Sequence, residues 1–319
     1  MGTHIEAACA RVGNGGRKAT ARRLADDAAR ACLTLAGCRP ADVDMLINVG
    51  VYREDSMGEP ALAALIQEDI GANRGQPPDG GGRGRSGTFS FDLLNGACGV
   101  ITAIQVESGL LRAGAIRLGT VVSSDVPPDL AGPGAPFLRP AGGAILLRWD
   151  DSPAGFTDFC TLTFPEYEDL FTSGLEWRER RGIRGPREGT GHNRMVVIVK
   201  PGYLARLVDC AEEATRRFLR RLGLGVEDID LLVPAPSVPD FVDPLRARLA
   251  VPGDRVAYTP EDLEGSHTTG PIAALQAAIK SGRLGEARNT LLLAAGAGIT
   301  VALALYRQEP ERRVTDLSR

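Results

Sequence analysis

The stretch FSFDLLNGACGVITAIQVESGLLRAG, Phe89 to Gly114, decides how this chain is read. Phe89 to Leu94 is apolar and β-prone with a single Asp, the pattern of a short buried strand. Asn95-Gly96 supplies turn chemistry, because both residues tolerate positive φ. From Cys98 the apolar spacing turns helical: Ile101, Ile104, Leu110 and Leu111 share a face, and Gly114 ends the run. Cys98 therefore sits on a strand–turn–helix junction, where unpaired N–H groups and the helix dipole favour a thiolate. That position suits a nucleophile, and it also suits a small buried cysteine packing a tight turn.

Upstream, Thr20 to Ala36 spaces Leu24, Ala28, Ala31 and Leu35 along one helical face, with arginines outward. Met45 to Val49 reads as a buried strand, and Glu59 to Asp69 as a second helix entered through Pro60. The Gly/Pro-rich Arg74 to Gly87 is a loop. Downstream, Leu118 to Ser123 and Ala144 to Arg148 read as strands.

The second half repeats the first. CRPADVDMLINVG (38–50) matches LGVEDIDLLVPAP (224–236), and AIQVESGLLRAGAIRLGTVV (103–122) matches AALQAAIKSGRLGEARNTLLLAAG (273–296). Leu207 to Leu222 supplies the helix before the second of these strands. Two copies of a βαβ-rich unit predict an α/β fold with a pseudo-twofold axis and largely parallel strands covered by helices. The halves are residues 1–150, carrying Cys98, and 151–319, carrying His267. In the repeat, Cys98 corresponds to a position within Ser266–Thr269, depending on the gap. His267 then opens the matching helix, and the two helix N-termini point at a common centre.

Composition narrows the function. A net charge of −3 leaves no domain-wide basic field, so nucleic acid is not expected as a partner. The six cysteines are scattered without CxxC spacing, which supports neither a zinc site nor a disulfide framework. No 18-residue apolar run and no basic-then-apolar leader occur, so membrane spanning and secretion are not expected and a cytoplasmic location is.

The motifs, taken together, resemble the thiolase-fold condensing enzymes, and most closely β-ketoacyl-acyl-carrier-protein synthase III. FDLLNGACGVITAI resembles that family's nucleophile strand and helix, RPAGGAILLRW its GDGAgAvvL strand, and AAGAGITVALAL its FGxGxTWGxxL strand. The resemblance covers nearly the whole chain and implies a layered α-β-α-β-α arrangement. It implies an acyl thioester on coenzyme A or on the phosphopantetheine of an acyl carrier protein as substrate, no permanently bound cofactor, and a homodimer joined along the Phe89–Leu94 strand.

Departures from the family pattern bear on the chemistry. Aligned without gaps, the family's cysteine falls on Ala97; either a one-residue deletion restores Cys98 to that place or the site is degenerate. The HQAN box falls on Pro234-Ala235-Pro236-Ser237-Val238, so its histidine is Ala235. The GN box is Gly265-Ser266-His267, and the RTGI loop is absent. A subset of relatives in antibiotic pathways keeps the cysteine, places a histidine in the GN-box region and transfers acyl groups to hydroxyls or amines, and the chain resembles that subset more than the carbon–carbon-forming enzymes. The resemblance then implies acyl loading of Cys98, an oxyanion hole from Cys98 and Gly298 N–H groups, and His267 as base. Gly298 equally fits a strand-end turn, and His267 a backbone-bonded helix entry. Arg178, Arg181 and Arg184, in the basic run after Trp177, would hold a phosphopantetheine phosphate or an acidic carrier protein, or form a solvated loop. Glu59 reads as an acid or base, or as a helix cap, and His4 and His192 read as surface residues. The alternatives are a non-catalytic partner subunit and a ketosynthase with a rebuilt site.

Overall fold

The computed structural model describes residues 2–13, 19–54, 59–73, 87–132, 138–182, 185–235 and 238–308. The Arg74–Gly87 loop lies, except for Gly87, outside the described residues, as does Arg184.

The first half runs β1 (Gly2–Val12), α1 (Ala21–Leu35), β2 (Met45–Asn48), α2 (Leu62–Ile70), β3 (Phe89–Asp92), α3 (Gly99–Arg112), β4 (Leu118–Asp125), β5 (Leu130–Ala131) and β6 (Ala141–Asp150). The second runs β7 (Gly155–Thr163), β8 (Phe171–Gly182), β9 (Gly185–Val199), α4 (Tyr203–Arg221), β10 (Leu231–Ala235), α5 (Val242–Leu249), α6 (Gly270–Lys280), α7 (Arg283–Glu286), β11 (Asn289–Gly296) and β12 (Thr300–Arg307). Nine strands form one sheet in the order β10-β11-β12-β7-β1-β6-β4-β2-β3. The halves meet where Thr3 of β1 pairs with Phe156 of β7.

The duplication is visible strand by strand. β1-β6-β4-β2 on one side answers β7-β12-β11-β10 on the other, with matching directions. Even the outermost β2–β3 pairing has a vestige, the parallel bridge of Leu232 to Val256. The expectation of largely parallel strands is corrected: only β2–β3, β2–β4 and β10–β11 in the large sheet are parallel. The reason is the connection. β11 returns to β12 through the three residues Ala297–Ile299, too few for a crossover helix, and a short return makes an antiparallel pair.

Three apolar clusters define the layers. α1 and α2 cover one face of the first half-sheet, packing Leu24, Ala28, Cys32, Leu62 and Ile66 on Leu46, Val122 and Leu146. α4 and α5 cover the far face of the second half-sheet through Leu207, Ala211, Phe218 and Leu245. Between the half-sheets lie α3 and α6, whose Ile101, Ile104, Ile272 and Leu275 contact strands of both. Ile104 and Ile272 are fully buried, and each such side chain contributes roughly 1.5–3 kcal/mol of transfer free energy. The five-layer α-β-α-β-α order follows, and it sets the N-termini of α3 and α6 together at the centre.

Two local expectations change. The second helix begins at Leu62, and Glu59 is exposed ahead of it. Its cap comes from Asp92 at the end of β3, which accepts the Leu62 and Ala63 N–H groups at 2.9 and 2.8 Å and pairs with Arg53 at 2.6 Å. Burial raises the Asp92 carboxyl, but those donors outweigh it and leave it below the ordinary carboxylate range. The basic run after Trp177 is no loop: β8 and β9 form an antiparallel hairpin that pairs with β5 in a separate three-stranded sheet. Among the described residues no helix is long and apolar enough to cross a membrane.

Candidate active site

Each central helix is entered through a single 3-10 turn: Gly96–Cys98 before α3, and His267–Thr269 before α6. Both turns open on a left-handed residue, Gly96 at φ +50° and His267 at φ +40°. Glycine takes that conformation freely, whereas histidine takes it at a cost, and such costs are characteristic of functional sites.

The His267 turn is held by Asp125, the last residue of β4. Asp125 is fully buried. Its Oδ1 accepts the Val51 and Tyr52 N–H groups at 2.9 and 2.8 Å, and its Oδ2 accepts the Thr268 N–H at 2.9 Å and the Thr268 hydroxyl. His267 Nδ1 stands 3.5 Å from the same Oδ2, at the outer limit of a hydrogen bond, and has no other partner. Burial pushes the Asp125 carboxyl up, but His267, Thr268 and the Tyr52 N–H pull it further down, so it stays ionised. The segment carrying Val51 and Tyr52 reaches Asp125 only because Gly50 lacks a side chain: a Cβ there would stand 2.2 Å from the Ser124 carbonyl oxygen. The Tyr52 ring meets the His267 ring edge-on at 4.9 Å between centroids. A proton on Nδ1, the side that faces Asp125, would leave Nε2 its lone pair, the arrangement of a general base beside a carboxylate.

Two cavities meet at this histidine. One, of about 540 Å³, is lined by Tyr52, Gly96, Ala97, Lys200, Tyr203 and Gly296 among others. The second, of about 350 Å³, lies between Arg139, the start of α5 and the loop around Tyr258. His267, Val238 and Pro239 line both.

Cys98 does not line either cavity. Its side chain is 1% exposed, and Sγ lies 3.4 Å from the Thr300 carbonyl oxygen and 3.7 Å from that of Ala294. The thiol thus faces the negative ends of two peptide groups across the molecule. Burial pushes it up to about 12, the reverse of the thiolate expected at a helix N-terminus. The residue at the cavity wall is Ala97, whose Cβ lies 3.7 Å from where a Cβ on Gly296 would be. The residue expected as the nucleophile is thus buried against the Ala294 and Thr300 carbonyls, and Ala97, the position that the ungapped alignment gives, lines the cavity instead. The Cys98 N–H is also spent, donated to the Asn95 carbonyl at 3.0 Å. Gly298, at φ +68°, makes the β11–β12 turn, while its neighbours Gly296 and Ala297 line the cavity.

The arginines fare no better as cavity residues. Arg178 is exposed on β8 and lies 3.7 Å from Asp129, which also binds His192 at 2.8 Å. Arg181 belongs to β8, and Arg178 lines neither cavity. Lys200 is the cation on the larger cavity, held at 2.7 Å by Asp169. His4 is paired with Ser152 at 3.0 Å, away from the site. Asp125, Tyr52 and Lys200 are the residues that sequence reading missed. The SSD run at the end of β4 was the available signal for Asp125, since a carboxylate closing an apolar strand sits at the helix termini. Among the described residues no group of His, Cys, Asp and Glu side chains is arranged to hold a metal ion.

Comparison with known proteins places this geometry. Residues 219–308 match the family described as 3-oxoacyl-[acyl-carrier-protein] synthase III, C terminal. Among curated relatives, the β-ketoacyl-[acyl-carrier-protein] synthase III of Alkalilimnicola ehrlichii is 29% identical over 89% of this chain and 83% of its own. That of Sphingopyxis alaskensis is 25% identical over 90% and 84%. Among solved structures, the synthase III of Aquifex aeolicus superposes with a TM-score of 0.73 at 17% identity, covering 96% of this chain and 100% of its own. The priming β-ketosynthase of the R1128 polyketide pathway superposes at 0.72 with 18% identity, covering 97% of each chain. Over most of its length the chain is similar to β-ketoacyl-acyl-carrier-protein synthase III proteins, and its fold is the thiolase fold of those solved structures.

Proposed function

We propose that this protein is an acyltransferase that moves an acyl group from a coenzyme A or carrier-protein thioester directly to a hydroxyl or amine acceptor, without an acyl-enzyme on Cys98. A setting in specialised metabolism and a small-molecule acceptor belong to the proposal. The observation that supports it is the contrast at the cavity wall: His267 stands there beside the Asp125 carboxylate, while the residue of the 3-10 turn that lines it is Ala97 and not Cys98. His267 Nε2 takes the acceptor proton as the acceptor attacks the thioester carbonyl, and the thiolate leaves with that proton as a thiol. Asp125 orients the ring and stabilises the imidazolium formed in between. Carbon–carbon condensation is disfavoured because the two converging donors to an enolate oxygen are replaced by Ala235 and, depending on the gap, Gly265 or Ser266, and Ala235 has no side-chain donor.

The test is thiol release from a panel of acyl-coenzyme A thioesters, with water or an added alcohol as acceptor. His267→Ala should lower the rate by ~10²–10⁴-fold, and Cys98→Ala should leave the rate per folded molecule unchanged. A rate that survives His267→Ala overturns the assignment.

A second reading, a non-catalytic partner subunit, is favoured by Ala97 itself. It forecasts no thiol release from any thioester and co-purification with a second chain of this fold. Self-association is part of the proposal in either case. β3 is the edge of the nine-stranded sheet, with Phe89 63% and Leu94 58% exposed beside it. An apolar edge of this kind is covered by pairing with a second copy.

A further inference from the structure

The acyl-transfer reading leaves the smaller cavity unassigned. It shares His267 with the larger one but has a different lining. Its apolar wall is Leu138, Pro234 and Phe241. Around that wall stand groups of every hydrogen-bonding kind: the carboxylates of Asp240 and Glu264, the Arg139 guanidinium, and the hydroxyls of Tyr258 and Thr259.

Several of these groups are already fixed. The Arg139 Nε donates to the Glu264 carbonyl at 3.0 Å and its N–H to the Gly265 carbonyl at 3.0 Å, tying the cavity wall to the loop before His267. The Tyr258 hydroxyl donates to Asp243 at 2.9 Å, and Arg246 neutralises the same carboxylate at 2.8 Å. Asp240 and Glu264 keep their carboxylates free of any ion pair or side-chain hydrogen bond among the described residues. Asp240 holds φ +61°, a strained conformation at the cavity mouth.

From this lining we infer that the smaller cavity is the acceptor site, and that its acceptor is a neutral polyol of about monosaccharide size; the inference rests on the acyl-transfer reading above. With Asp243 neutralised by Arg246, Asp240 and Glu264 outweigh Arg139 by one charge, which turns an anionic acceptor away. Acceptors and donors interleaved over an apolar wall match a ring that carries hydroxyls on its edge and C–H groups on its face. A volume of about 350 Å³ suits one such ring. One hydroxyl reaches His267, which takes its proton; the oxygen forms the new C–O bond, the C–S bond breaks, and the proton departs on the thiol.

The test measures thiol release from acetyl- and hexanoyl-coenzyme A with methyl α-glucoside, myo-inositol, cyclohexanol, glucosamine or glucuronate, and mass spectrometry of the products. Methyl glucoside or inositol should raise the rate over water by at least about tenfold and yield an O-acyl ester. Cyclohexanol, with one hydroxyl on the same ring, should raise it less than twofold. Val242→Trp fills the smaller cavity from a residue that lines it alone; it should abolish stimulation while leaving release to water within twofold. Asp240→Ala with Glu264→Ala, both at exposed positions, should raise the KM for the polyol about tenfold, as expected for lost hydrogen bonds to charged groups, with release to water again unchanged. Release to water with no stimulation by either polyol overturns the inference alone, as does stimulation that survives Val242→Trp. Preference for glucosamine or glucuronate overturns the assigned class. Absence of release from every thioester overturns the acyl-transfer reading beneath it.

Discussion

The two turns at the heart of the molecule share one backbone device and divide its chemistry unequally. Matched through the duplication, Gly96 answers His267, Ala97 answers Thr268 and Cys98 answers Thr269. The third residue of each turn docks into the opposite half. The Cys98 thiol meets carbonyls of Ala294 and Thr300, and the Thr269 hydroxyl meets the Ser123 hydroxyl at 2.9 Å. The strand ends behave the same way: Asp125 closes β4 against Thr268, and its counterpart Gly296 closes β11 against Ala97. The second turn thus gained a strained histidine, a hydroxyl and a buried carboxylate where the first has Gly, Ala and Gly. Cys98 is thus buried against the opposite half in the same way as its counterpart Thr269.

Asp125→Ala breaks this comparison hardest. It orphans the Val51, Tyr52 and Thr268 N–H groups in a buried site, at about 1–3 kcal/mol for each. Chemical denaturation should show a loss of about 3–5 kcal/mol, and thiol release should fall with that of His267→Ala. Denaturation unchanged from wild type would mean that Asp125 does not hold the turn.

Ala97→Cys restores symmetry of function rather than of structure. A thiol at the cavity wall, at a helix N-terminus and opposite His267, meets the conditions for a reactive nucleophile. Intact mass after incubation with acyl-coenzyme A should show one acyl group per chain, absent in the wild type. No adduct would mean that the cavity does not admit a thioester.

Cys98→Ala probes the packing role. Removing a buried sulfur should cost about 1 kcal/mol, visible as a small fall in Tm. With its thiol pushed up to about 12 by burial, Cys98 should be alkylated in native protein at pH 8 more slowly than the half-buried Cys38 and Cys160. Faster labelling of Cys98 would contradict its placement.

The smallest effect lies away from both turns. Asp26, buried on α1 beside Asp69, is raised to about 8, first by burial and then by its carboxylate neighbour. Its folded-state value stands above the unfolded one, so the stability it contributes is full below about pH 4 and is lost as pH rises toward 8. Asp26→Asn should therefore raise Tm by a few degrees at pH 8 and by nothing at pH 4. An equal gain at both would show that charge is not the cause.

Much of the fold was legible because it depends on patterns that sequence carries directly. The period change at Asn95-Gly96 marks strand, turn and helix, and the repeat of 38–50 in 224–236 announces the duplication. The return strands β6 and β12 were recognisable as strands, but not that they run antiparallel to β4 and β11, β12 through a three-residue turn. The hairpin β8–β9 was hidden by its polar, arginine-rich sequence, since neither face of Thr172–Glu179 is buried. His267 was legible through the repeat. Asp125 was not, because it reaches His267 only when β4 and α6 are packed together. The direction of Cys98 was the hardest feature: successive residues of a 3-10 turn point about 120° apart, so one position of register separates the cavity wall from the core. Ala97, in the ungapped alignment, was the sole mark of it.

The most direct measurement follows thiol release and intact mass together on wild-type protein incubated with acyl-coenzyme A. Release without any acyl adduct on the chain is the expected result, with His267 at the reacting centre and Cys98 in the core. An acyl adduct that maps to Cys98 would contradict it.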